Sequence, residues 1–394
     1  MEAFFRTHKY LVEHLQFPVQ RYLMKEIDWT HRLIGIKGSR GVGKTSFLLQ
    51  YAKDNFAPDD RSCLYINLNH FYFTKSSIIE FADMFRNRGG KVLLIDQIFK
   101  YPEWSKELRF CYDHFHDLQI IFSGSSVMRL KEENPELSGC VESYNLRGYS
   151  FREFLTLMAD VELEAYSLDD MLENHLDIVP SILNKVKPLA FFQDYLHHGY
   201  YPFFTENRNF SENLLKTMNM MLEVDILLIQ QMDLKCLNKI RKLLYLLLLN
   251  APCTPNISQL SNEISTSRAT VMNYIKYLKD ARLLNTLYYD GEEFPKKPAL
   301  VYTHNTNLIY PVSLDPVQKQ ILNETFFYNM LHKDHRLNTQ EKNVHFLVDR
   351  KYSFHIESED TKNKKKIPDA YYVTNKVETN EKNEIPLWLF GFLY

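Results

Sequence analysis

The sequence predicts an α/β fold in which a parallel sheet with crossover helices is followed by helical and mixed α/β parts. Three observations carry this reading. Residues 1–150 alternate short β-rich runs with helical stretches, the pattern of consecutive βαβ units. Glycine is scarce, 12 in 394 residues, yet positions 35, 38, 41, 43, 89 and 90 all fall in the first quarter. Glycines gather where backbone turns tightly or approaches a ligand. From Ser150 to about Asp233 the pattern changes to helical periodicity with Leu, Met and Phe faces and no convincing strand.

The strands of the first part are predicted at Leu33–Lys37, Cys63–Leu68, Val92–Asp96, Leu118–Phe122 and Glu142–Leu146, with helices such as Thr45–Asn55 and Ile78–Arg88 between them. Ser150 with Glu153 three residues on reads as a capping box opening the helical part. Residues 234–290 read as helix, loop, helix, turn, helix and a β-like Leu284–Tyr289; a β-prone, charged segment, 300–394, closes the chain. Its Asp360–Lys366 run reads as a solvated loop.

Composition narrows the function classes. Apolar residues make up 45% and charged residues 24%, which excludes wholesale disorder. A formal net charge of −2 excludes a nucleic-acid binder that works through its global field. The longest apolar run, Leu243–Leu249, is seven residues, whereas a membrane span needs about 20. The start, Met1–Arg6, lacks the layout of a signal peptide. Five widely spaced cysteines without a CxxC pair point to a reducing cytoplasm.

The strongest local signal is Gly38-Ser39-Arg40-Gly41-Val42-Gly43-Lys44-Thr45, between an apolar strand and a helical Ser46-Phe47-Leu48. It fits G-x-x-x-x-G-K-[ST] in the context that the motif requires. Its glycines let backbone N–H groups curl around a phosphate at the positive end of a helix. Lys44 would reach the β- and γ-phosphates of ATP, and the Thr45 hydroxyl would ligate Mg²⁺. Gly38 to Ser46 are therefore the candidate nucleotide-binding residues.

Some 50 residues on, Val92-Leu93-Leu94-Ile95-Asp96-Gln97 reads as a Walker B strand, with Asp96 holding Mg²⁺ through its water shell. The intervening Cys63–Leu68 suggests an extra strand between the two motif strands, as in P-loop ATPases with a catalytic glutamate directly after the Walker B aspartate. Gln97 occupies that position. An amide orients a water but takes no proton, so general-base help worth roughly 10²–10⁴-fold is missing. Gln97 is either native, giving a switch that hydrolyses poorly, or introduced to trap ATP, toward which the otherwise intact site leans. A third signal is Ile120-Ile121-Phe122-Ser123-Gly124-Ser125, an apolar strand ending in hydroxyls that could sense a γ-phosphate. Ser125 joins Lys44, Asp96 and Gln97 in the candidate catalytic set, with Ser123 as its alternative.

Ile257–Ile264 followed by Thr266–Leu278 reads as helix-turn-helix, buried through positions 257, 260, 264, 271, 275 and 278. Ser267, Arg268, Thr270 and Asn273 would face outward. Residues 235–290 carry eight basic and three acidic residues, a net of +5, which favours DNA phosphates; a protein-docking role competes evenly. His197-His198 lacks a third ligand at metal-like spacing and reads as structural.

With these residues in hand, the chain resembles a bacterial and archaeal AAA+-type ATPase family with a P-loop domain, a winged helix and a C-terminal domain related to restriction endonucleases. The resemblance rests on Gly38–Thr45, Leu94–Trp104, Phe122–Ser126, Leu146–Phe154, Tyr195–Phe203 and Ile385–Tyr394. It implies an AAA+-type ATPase core at 1–149, a helical lid at 150–233, a winged helix at 234–292 and a nuclease-like α/β domain at 293–394. Three departures stand out. Gln97 replaces a glutamate. Cys140 stands where the family often has an arginine that acts in trans, and Arg147 or Arg152 would have to substitute, although a structural role suits each better. The nuclease acids would be Asp349 and Glu357, but the lysine two residues on is Glu359, and Lys364–Lys366 lie too far along; the fold is expected without the chemistry. The expected protein is a cytoplasmic ATP-binding switch using ATP and Mg²⁺. Its candidate partners are ATP or ADP, DNA through the winged helix, another protein, or further copies in a homo-oligomer, and no membrane.

Overall fold

The computed structural model describes all residues except 129, 131–133, 207–208, 314, 341–344 and 358–369. The chain divides into two compact units, Met1–Gly148 and Tyr149–Tyr394.

The first unit contains β1 (Leu33–Gly38), β2 (Cys63–Asn67), β3 (Val92–Asp96), β4 (Gln119–Ser125) and β5 (Glu142–Asn145), with α1 (Glu2–His14), α2 (Leu23–Glu26), α3 (Lys44–Asn55), α4 (Ile78–Arg86) and α5 (Trp104–His114). Among the described residues the five strands form one parallel sheet in the order β2-β3-β4-β1-β5. The strands β1 to β4 are almost wholly buried, as a sheet covered by crossover helices on both faces requires. The strand that separates β1 from β3 is β4, while β2, which the sequence suggests for that place, lies at the edge. Adjacency in sequence does not set adjacency in a sheet built by crossovers.

Two element ends differ informatively from expectation. The strand β4 runs three residues beyond Phe122, because its ladder with β1 continues to Gly38 opposite Ser125; backbone pairing carries polar residues that break the apolar pattern. The helix α4 stops at Arg86 rather than Arg88, and Gly89 follows in a left-handed conformation, which L side chains disfavour. Its start carries a capping box between Ser77 and Glu80.

The second unit opens with α6 (Phe151–Ala159), α7 (Leu168–Leu183), α8 (Pro188–Asp194) and α9 (Phe210–Met220), with π-helical segments at Tyr195–Gly199 and Met221–Leu228. The Ser150–Glu153 capping box is present in both directions. Next come α10 (Lys235–Asn250), α11 (Ile257–Glu263), α12 (Arg268–Asp280), β6 (Leu284–Tyr289), β7 (Leu300–Thr303), α13 (Lys319–Leu331), β8 (Leu337–Thr339), β9 (Phe346–Val348), β10 (Tyr352–Ile356), β11 (Ala370–Thr374) and β12 (Glu384–Pro386). Leu260, Ile264, Val271, Ile275 and Leu278 are buried and Ile257 is half-buried, whereas Ser267, Arg268 and Asn273 are exposed and Thr270 is partly so.

The strands of this unit form a sheet ordered β12-β11-β10-β9-β8-β6-β7. It pairs β6 antiparallel with β7 and parallel with β8, so a continuous sheet crosses the expected boundary at 292/293. Asp360–Lys366, Ser358, Glu359 and Lys364–Lys366 lie outside the described residues.

Inside the first unit, His8 of α1 is 2% exposed, and its Nδ1 accepts a hydrogen bond from the Tyr65 backbone N–H at 3.0 Å. An accepting Nδ1 carries no proton, and burial holds the His8 pKa down at about 4. The folded value lies below the unfolded one, so this stability is present above pH 6.5 and lost as pH falls toward 4. Urea unfolding of the first unit's sheet should show a loss of about 2 kcal/mol from this group between pH 7.5 and pH 5. The His8→Asn variant should lack that part of the slope; an unchanged slope would remove His8 as its source.

Candidate functional site

The site forms where the carboxyl ends of β1, β3 and β4 meet the N-terminus of α3. Residues 38–45 pass from β1 into α3, and Gly41 and Gly43 take φ of 86° and 92°, a region open to glycine at little cost. Gly38 is required for another reason. A Cβ there would stand 2.5 Å from the Leu146 carbonyl oxygen. Gly43 caps α3 and accepts the first helical bond, from the Phe47 N–H at 2.8 Å. The helix therefore begins at Lys44, so the positive end of its dipole lies at the end of the loop.

Lys44 Nζ donates to the carbonyl oxygens of Gly38 at 2.8 Å and Ser39 at 2.9 Å. The ammonium is thus folded back over the concave side of the loop, where a phosphate would compete for it. Thr45 Oγ1 donates to Asp96 Oδ2 at 2.7 Å, so the two residues expected to hold a metal meet directly. Ser39 and Val42 are buried, Arg40 and Gly41 half-buried and Ser46 exposed.

Asp96 is 1% exposed, and a carboxylate so placed must be satisfied by donors. Oδ2 accepts from Thr45, from the Tyr65 hydroxyl at 2.8 Å and from Asn67 Nδ2 at 3.4 Å. Oδ1 accepts from the Gln97 N–H at 3.0 Å and from the Ser123 hydroxyl. Burial, and then the neighbouring Asp96 charge, pushes the Tyr65 hydroxyl far above its ordinary pKa, so it stays a donor. Tyr65 and Asn67 lie on β2, and sequence reasoning missed both. The alternation Cys63-Leu64-Tyr65-Ile66-Asn67 put Tyr65 and Asn67 on one face, but only the β2–β3 register, Asn67 opposite Asp96, shows what that face meets.

Gln97 is half-buried with φ of 58°, left-handed backbone that costs a non-glycine residue about 1–2 kcal/mol. Its N–H donates to both Asp96 Oδ1 and Ser123 Oγ at 3.0 Å, which fixes the turn after the strand. The two candidate serines separate here. Ser123 binds the carboxylate, whereas Ser125 sits opposite Gly38 with its Oγ 3.5 Å from the Val127 N–H.

The remaining candidates fall elsewhere. Arg152 is buried, and its guanidinium donates to the carbonyl oxygens of Tyr394 at 3.0 Å and Leu163 at 3.1 Å, which makes it a structural strut. Arg147 is 9% exposed. Cys140 is buried with its Sγ 3.3 Å from the Leu137 carbonyl oxygen. Asp349 lies in the turn after β9, where its carboxylate accepts from His335 and from the Arg336 N–H at 2.8 Å, and Glu357 follows β10 with its N–H on the Val373 carbonyl oxygen. His197 and His198 face each other, Nδ1 to Nδ1 at 3.3 Å, in the π-helical segment. Among the described residues no three His, Cys, Asp or Glu side chains gather at a metal-holding spacing, and no helix is long and apolar enough to cross a membrane.

Residues 30–155 match the family described as an AAA domain. Over this stretch the chain is similar to an AAA-type domain. Residues 190–300 match a domain of unknown function, DUF8612. An uncharacterized protein of Methanocaldococcus jannaschii is 27% identical over 292 residues, 70% of this chain and 60% of that relative's length. Thus the chain spans about three fifths of the curated relative that it matches. Among solved structures, Aeropyrum pernix Orc1 in complex with DNA aligns at 12% identity over 80% of this chain and 92% of that one, with a TM-score of 0.30. A Thermotoga maritima RuvB variant aligns at 16% identity over 73% and 89%, with a TM-score of 0.27.

The serines give a direct test. Ser123→Ala removes a donor from a buried carboxylate and should cost about 1–3 kcal/mol in urea unfolding. Ser125→Ala should cost clearly less, and equal losses would show that the Asp96 contact carries no special weight.

Proposed function

We propose that the AAA-type domain binds ATP with Mg²⁺ and acts as a nucleotide-dependent conformational switch whose hydrolysis is held back by Gln97. The observation that carries this reading is the contact of Thr45 with Asp96 where the loop enters α3, next to a Lys44 ammonium folded over that loop. Thr45 and Asp96 offer the hard oxygen donors that Mg²⁺ prefers, with most of its shell left to water and phosphate. They fit the ion. When bound, it neutralises charge on the β- and γ-phosphates.

The chain's own groups do the rest. The loop N–H groups and Lys44 would hold the phosphates, and Asp96, oriented by its donors, would serve the metal through its water shell. Gln97 orients an attacking water without accepting its proton, so binding outlasts chemistry. Catalysis then rests on Lys44, Asp96 and Gln97, with Ser123 orienting Asp96 and Ser125 beside the loop. γ-Phosphate contacts would order neighbouring segments and their loss would release them.

In this reading 150–233 is a lid and 234–292, which holds α10 to α12 and β6, is a winged helix; 293–394 keep a nuclease-like fold without nuclease chemistry. The partner is a protein or further copies of the chain. A second reading, a DNA-binding regulator with nucleotide as structural ligand, is favoured by the exposed polar face of α12, Ser267, Arg268 and Asn273, within a segment of net charge +5. Gel shifts with random duplexes separate the two: retention that is independent of ATP favours the regulator, and no retention favours the protein switch.

Lys44→Ala should abolish ATP binding in calorimetry, and unchanged affinity would end the nucleotide assignment. Gln97→Glu should raise multiple-turnover hydrolysis by about 100-fold or more. If both forms hold nucleotide and neither turns over, Gln97 is not what limits hydrolysis.

A further inference from the structure

Arg21 lies between α1 and α2, outside every motif of the nucleotide site, and is 7% exposed. Its guanidinium spans two segments. Nη1 donates to the Val42 carbonyl oxygen at 3.0 Å, and Nη2 donates to those of Arg147 at 2.6 Å and Gly148 at 3.1 Å. The fork geometry of arginine suits such bridging, because a single ammonium cannot reach both places in fixed directions.

The Val42 contact matters for what stands at the other end of the same peptide. A trans peptide is planar, so its carbonyl and the following N–H point in opposite directions. Holding the Val42 carbonyl toward Arg21 therefore turns the Gly43 N–H away from Arg21. This peptide needs holding. Gly43 has no Cβ and already takes φ of 92°, so a flip about the Val42–Gly43 plane meets little steric resistance. A phosphate loop without its ligand also gathers N–H dipoles of like orientation, which repel one another.

We propose that Arg21 is a positioning residue for the phosphate loop: it locks the Val42–Gly43 peptide with the Gly43 N–H directed at the bound phosphate. The anchor is the pair of carbonyls at Arg147 and Gly148, beyond β5, so the lock ties the loop to the end of the sheet unit. This rests on the reading of residues 38–46 as a nucleotide site and extends it to a group outside the motif. Preorganising the loop lowers the cost of ordering it when ligand binds. The probe ligands are accordingly ATP, ADP and inorganic pyrophosphate, which share the phosphates that the loop would hold.

The test is calorimetry of the full chain and its Arg21→Lys and Arg21→Ala variants with these three ligands, beside thermal melts. Arg21→Ala should weaken all three by a common factor of about 10- to 100-fold, the scale of a charge-assisted hydrogen bond. Arg21→Lys, which keeps the charge but reaches one segment, should fall between that variant and the parent with its melting temperature retained. Parent-like affinity in either folded variant overturns the proposal. So does a loss confined to ATP and ADP with pyrophosphate unchanged, because that places the effect on the base or ribose. Should Arg21→Ala fail to fold, Arg21→Lys alone decides. Failure of the nucleotide reading looks different: the parent chain itself would bind none of the ligands, or would bind them equally well as Lys44→Ala.

Discussion

The first unit is organised around the burial of one carboxylate. Asp96 ends a strand at 1% exposure, and a charge there is tolerable only if donors surround it. Those donors come from α3 (Thr45), from β2 (Tyr65 and Asn67), from β4 (Ser123) and from the backbone after β3 (Gln97). Satisfying Asp96 therefore fixes the level at which three strands end and the place where the helix after the loop begins. The same arrangement brings a threonine hydroxyl and a carboxylate together, beside a lysine folded over the loop.

The phosphate loop depends on contacts both outside and inside its motif. Gly38 lies against the Leu146 carbonyl, Val42 is held by Arg21, and Lys44 rests on two carbonyls of the loop itself. Glycine supplies the freedom to form a concave loop, and that freedom has to be taken away again for the N–H groups to converge. Arg21 does so from one side and the start of α3 from the other.

Much of the architecture was legible in the residues. All five strands of the first sheet were readable to within a few positions, because buried parallel strands are short apolar runs between turn signals. The phosphate loop was readable because its chemistry needs specific residue types at fixed spacing. The Ser150 cap followed from a local hydrogen-bond pattern. What local pattern did not carry was register. Ser123 and Ser125 look alike in sequence, and Tyr65 looks like any strand aromatic until β2 is set beside β3.

The sequence by itself determined the classes of element, the phosphate loop and the acid at the end of a buried strand, because these follow from side-chain chemistry and short-range spacing. Only the tertiary structure decided the strand order with β4 between β1 and β3, the serine that serves Asp96, the structural use of Arg152 and the hold of Arg21 on Val42. It also joined β6 and β8 into one sheet across an expected boundary. Each of these is a pairing between residues far apart in the chain. Such pairings are set by which burial and hydrogen-bond demands are met together, and a linear pattern does not record that choice.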